Sequence, residues 1–86
     1  MNHVMLHKSF FYDAKSRLDL EFFVDLPFPP TKDVILRFQD YEFQCQRIEF
    51  DITYLTFHCY ELNETGDRDF ERCLAFYKER FWYLSK

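Results

Sequence analysis

The chain is poor in the residues that make loops permissive: its 86 positions hold one glycine, Gly66, and three prolines, Pro27, Pro29 and Pro30. A lone glycine excludes the Gly-rich turns whose backbone N–H groups cradle phosphates. No apolar run approaches the roughly 18 residues that cross a bilayer as a helix. The start, Met1-Asn2-His3-Val4, lacks the basic residues and the long apolar stretch of a secretion signal. The cysteines, Cys45, Cys59 and Cys73, are odd in number and include no C-x-x-C pair, so a disulfide framework is not expected and a reduced, cytoplasmic setting is. Basic charge is also scarce. Eleven Lys and Arg face 15 Asp and Glu, a net charge of −4, so the molecule repels phosphate backbones rather than collecting them. The exception is residues 67–86, where five basic side chains meet four acidic ones.

Rings, by contrast, are abundant. Apolar residues make up 48% of the chain and aromatic ones 22%, as 12 Phe, 6 Tyr and 1 Trp. Such a composition rules out intrinsic disorder, and a chain this short builds one core, so residues 1–86 form a single domain.

Hydrophobic period then sets the elements. Residues 3–12 are rich in Phe, Val and Leu and end at the polar stretch Asp13 to Arg17, which suits a hairpin connection. Over 18–26 the alternation is strict: Leu18, Leu20, Phe22, Val24 and Leu26 share one face, and Asp19, Glu21, Phe23 and Asp25 the other. Proline supplies no ladder donor, so this strand stops at Pro27. A short strand at 33–38 points Val34, Leu36 and Phe38 inward. Another over 41–51 begins with odd positions inward (Tyr41, Phe43, Cys45) and ends with even ones (Ile48, Phe50, Ile52), a change that a bulge near Gln46-Arg47 would absorb. Leu55, Phe57 and Cys59 mark a strand at 53–61. A helix over 67–84 follows, capped by Thr65 or Asp67, with Phe70, Cys73, Leu74, Tyr77, Phe81 and Leu84 on its buried stripe. The expected fold is α+β: a five-stranded, strongly bent antiparallel sheet or partly closed barrel, with one C-terminal helix packed across it.

No residue cluster carries a specific chemistry, so no enzymatic activity, cofactor or small-molecule substrate is expected. His3 and His7 share a strand face but stand about 13 Å apart along it, too far to hold one metal ion. All three cysteines fall on inward faces, where cysteine packs as a small apolar residue. Carboxylates such as Asp19 with Glu21, or Glu49 with Asp51, sit on solvated strand faces, where they serve as solubilising charges that discourage edge-to-edge aggregation. The outer-face acids would also repel the phosphates of any base stacked on the sheet.

Filling the core leaves eight rings over: Phe11, Phe23, Phe28, Tyr54, Tyr60, Phe76, Trp82 and Tyr83. Either a curved sheet absorbs them or another polypeptide covers them. Five such rings at about 150 Å² each approach the ~800 Å² that one partner contributes to a standard interface. The expected function is therefore a non-enzymatic interaction module, a homodimer or a small adaptor or inhibitor of a larger protein. Phe76, Trp82 and Tyr83 are its first candidate contacts, and Phe23, Tyr54 and Tyr60 its second. The competing reading is an acidic inhibitor that mimics nucleic acid and occupies a basic cleft. Neither reading involves nucleic acid or a membrane as partner.

Overall fold

The computed structural model describes residues 1–13, 16–64 and 69–85. Two ten-residue strands, β1 (Asn2–Phe11) and β2 (Arg17–Leu26), form a hairpin in which Val4 lies opposite Val24, Leu6 opposite Phe22 and Phe10 opposite Leu18. These even-numbered residues line the core face. Asp13 closes the connection by accepting the Ser16 N–H at 2.7 Å. Beyond the prolines, β3 (Ile35–Arg37) and β4 (Glu42–Gln44) form a separate two-stranded ribbon, with Leu36 opposite Phe43. Next, β5 (Arg47–Asp51) and β6 (Thr56–Glu64) make a second hairpin, followed by α1 (Phe70–Lys78) and the two-residue β7 (Tyr83–Leu84).

The main sheet has the order β5-β6-β1-β2-β7, and β6 runs parallel to β1. It is thus mixed, and it is an open sheet with β5 and β7 at its edges, where an antiparallel, strongly bent or barrel-like sheet was expected. The cause is the ribbon. Because β3 and β4 leave the sheet, the second hairpin returns on the far side of β1, and its outgoing strand meets β1 in the same direction.

The change of parity near residue 46 is real but marks a change of sheet rather than a bulge. Cys45 N–H still bonds within the ribbon segment to Val34 O at 3.0 Å, whereas Gln46 N–H bonds to Tyr60 O of β6 at 2.9 Å. The expected strand 41–51 is therefore two strands of two sheets.

The helix is also shorter than expected. Thr65 and Asp67, its expected caps, lie outside the described residues; Asp69 is the N-cap, accepting the Arg72 N–H at 2.8 Å. At the other end Phe81 takes φ 69°, and the Phe81 and Trp82 N–H groups bond to Lys78 O and Tyr77 O. This is the pairing of a Schellman cap, usually built on glycine. The turn drives Trp82 into the core and lays Tyr83 and Leu84 against β2, leaving Phe81 and Leu84 exposed instead of on a buried helical stripe. Ile52 and Leu55, expected inside, are exposed in the β5–β6 turn, and Phe50 is partly exposed at the sheet edge.

The ribbon, α1 and Trp82 cover one face of the sheet and enclose Val4, Leu6, Leu18, Leu20, Phe43, Cys45, Cys59, Cys73 and Tyr77. Inside this core lies an ion pair that the strand pattern had not brought out: Lys8 Nζ sits 2.7 Å from Glu61 Oε1, both side chains almost fully buried. Rings of Phe10, Tyr41 and Tyr77 stand 5.1–5.9 Å from the ammonium, close enough for cation–π attraction. The Gln44 N–H donates to Glu61 Oε2 at 2.6 Å, tying the ribbon to the sheet. Among the described residues no helix is long and apolar enough to cross a membrane.

Candidate functional site: the open face of the sheet

With the ribbon, α1 and Trp82 all on one side, the odd positions of β1 and their neighbours form a face that no second-layer element covers among the described residues. Register assigns its members. His3, Met5, His7, Ser9 and Phe11 of β1 lie opposite Asp25, Phe23, Glu21, Asp19 and Arg17 of β2. On the other side they lie beside Thr56, His58, Tyr60, Leu62 and Glu64 of β6, which in turn face Asp51, Glu49 and Arg47 of β5. Tyr83 of β7 joins the row opposite Glu21.

Charge on this face is lopsided. Asp19, Glu21, Asp25, Glu49, Asp51 and Glu64 stand against Arg17 and Arg47, a formal −4. Removing six acids and two bases from the 15 and 11 of the whole chain leaves nine of each, so the open face carries the entire net charge. The two arginines are committed locally: Arg17 donates to Asp19 Oδ1 and Arg47 pairs with Glu49, at 2.7 and 2.9 Å. Ser9 also donates to Asp19, at 2.6 Å.

At its centre, His7 Nε2 and His58 Nδ1 share a hydrogen bond of 2.8 Å, and the His7 ring stacks on Tyr60 with centroids 4.6 Å apart and planes 11° from parallel. Burial, and then the neighbouring His58, push the His7 pKa below its usual value, against the opposing pull of Glu21, Glu49 and Asp19. Arg47 adds a guanidinium 4.5 Å from the Tyr60 centroid. Next to this pair a cleft of about 530 Å³ opens between Met5, Phe23, Asp51, Tyr54, Thr56 and His58.

The six expected contacts divide. Phe23, Tyr60 and Tyr83 share the open face, and Tyr54, at the β5–β6 turn, walls the cleft; Phe23, Tyr54 and Tyr83 are 61%, 76% and 65% exposed, and Tyr60 is half-buried. Phe76 lies in the other layer, half-buried, with the Arg80 guanidinium 3.6 Å from its ring centroid. Trp82, expected off the buried face of the helix, is instead 2% exposed, packs against Phe22, Phe38, Phe43 and Tyr77, and donates its Nε1–H to the Tyr41 hydroxyl at 2.7 Å, so it holds the core.

Strand parity carried the signal for Met5 and His58, both on outward positions, yet their meeting depends on the parallel β1–β6 pairing, which local pattern does not reveal. Cys45, Cys59 and Cys73 are buried and free. The Cys59 thiol is pushed up by its hydrogen bond to Cys45 and by burial, which disfavours a thiolate there. Among the described residues no three His, Cys, Asp or Glu side chains converge as a metal site. No family model matches the sequence, and no curated protein or solved structure shows significant similarity to it.

Proposed function

We propose that this chain is a non-catalytic interaction module, a small adaptor or inhibitor that binds a protein partner on the open face of its sheet. One observation carries the reading: a sheet covered on one side only exposes Phe23, Tyr54 and Tyr83 on the other, where a solvated face needs no rings. The 36 residues of the five strands, at ~3.3 Å along and ~4.8 Å across, give the sheet a plan of roughly 570 Å², somewhat below one side of a standard interface.

The concentration of charge on this face favours a different protein over a second copy. Two such faces stacked together would oppose −4 with −4. The same charge supports the second reading, an acidic inhibitor that occupies a basic, nucleic-acid-binding cleft.

The two readings differ in what removal of the rings does. Proteins retained from the native host by the wild-type chain and lost by a Phe23→Ala/Tyr54→Ala double variant, but kept by Ile35→Ala on the ribbon, would support the ring-mediated module. Retention that survives loss of the rings but collapses between 50 and 500 mM salt would support the acidic mimic. An identical retained set for all variants at all salt concentrations would sink both.

A further inference from the structure

The cleft beside the histidine pair combines two kinds of wall. Phe23 and Tyr54 supply exposed ring faces, Met5 a polarizable thioether and Asp51 a carboxylate. The carboxylate is held in place: Asp51 Oδ1 accepts the Thr53 and Tyr54 N–H groups at 2.9 and 3.3 Å, and among the described residues its Oδ2 is unengaged. A second, smaller cleft of about 220 Å³ is lined by Phe23, Thr56, Asp25 and His3, whose Nδ1 lies 2.7 Å from Asp25 Oδ1. The two hollows share Phe23 and Thr56, so each combines the Phe23 side chain with one carboxylate, Asp51 in the larger and Asp25 in the smaller.

Rings attract cations over their faces, and carboxylates complete the pairing. Anions and phosphate backbones meet the opposite: six acids, with both arginines already engaged by Asp19 and Glu49. Acids that served only to keep the face wet would not need to be interleaved with exposed rings. Resting on the interaction-module reading, we infer that these paired hollows receive the lysine or arginine side chains of a basic segment of the partner protein, the larger hollow taking the first cation between Phe23, Tyr54 and Asp51.

The test uses the full chain and three nine-residue peptides of one design: three arginines separated by serines, the same peptide with citrulline for arginine, and the same with glutamate. Chemical-shift mapping on the wild-type protein should place the arginine peptide on Met5, Phe23, Tyr54 and Thr56, with citrulline and glutamate peptides bound at least about tenfold more weakly, since charge supplies most of the attraction. Phe23→Ala, Tyr54→Ala and Asp51→Asn should each weaken the arginine peptide by about threefold or more, while Ile35→Ala leaves it unchanged. Equal binding of arginine and citrulline peptides on this face would overturn the cationic assignment and leave the interaction surface standing. Binding of the arginine peptide that is indifferent to Phe23→Ala and Tyr54→Ala would also overturn it, reducing the effect to diffuse charge. Absence of any shift on this face with all three peptides overturns it too, and host capture with the double variant then decides separately whether the face binds protein at all.

Discussion

His7 and His58 meet nitrogen to nitrogen, so one ring must donate and the other accept; two imidazolium rings would turn two N–H groups toward each other. Burial works against an imidazolium at His7, and the neighbouring His58 adds to the effect. The folded pKa of His7 lies below the ordinary value near 6.5, so the unfolded chain takes up the proton more readily. The stabilising contribution is complete above about pH 6.5 and is lost as pH falls below that value toward the folded pKa. Urea midpoints at pH 7.5 and 5.5 should consequently differ more for the wild-type chain than for His7→Gln, which cannot titrate. Equal slopes in the two proteins would assign the acid sensitivity to other groups.

The elements themselves show what a local pattern can and cannot specify. Strict alternation marked β2 at 18–26, within a residue of Arg17–Leu26, because period 2 over nine positions has no helical counterpart. Helix α1 was legible at its centre, where Cys73 and Tyr77 are buried as the stripe required. Its end was not. Continued to 84, the helix would have hidden Phe81 and shown Trp82; the chain instead hides the larger ring, at the cost of a left-handed backbone at a residue bearing a Cβ. That conformation costs roughly 1–2 kcal/mol for a non-glycine residue, and Phe81 repays little of it through burial because its side chain is exposed. Phe81→Gly is expected to stabilise the protein by about 1 kcal/mol, read as a higher urea midpoint with an unchanged slope. A destabilised variant would mean that Phe81 makes a contribution its exposure conceals. The same limit applies to 41–51, since a bulge and a change of sheet produce one identical shift of parity, and only the long-range bond from Gln46 to Tyr60 separates them.

At the scale of the whole molecule, the ribbon is joined to the sheet not only by apolar contact but by Glu61, which pairs with Lys8 of the neighbouring strand and accepts the Gln44 N–H of the ribbon. Lys8 and Glu61 occupy even and odd positions that strand parity points inward, so the sequence did contain the signal, a base and an acid among the core residues of two strands that turn out to be neighbours. The candidate site follows the same logic in reverse: strand parity already placed its acids on the outer face, whereas the meeting of Met5 and His7 with His58 and Tyr60 among them required the parallel pairing of β1 with β6. A buried pair is weak evidence of stability in itself, because desolvation offsets much of the attraction, but losing one partner strands the other. Lys8→Met leaves the Glu61 carboxylate buried without its cation, and Glu61→Gln leaves the Lys8 ammonium buried without a counter-charge beside the rings of Phe10, Tyr41 and Tyr77. Each substitution should cost about 3–5 kcal/mol. The double variant should cost no more than the worse single one, since the introduced amide would retain an acceptor for the Gln44 N–H and no charge would remain inside. Urea unfolding of the four proteins tests this as a cycle, and strictly additive losses would show that the two charges do not act as a pair.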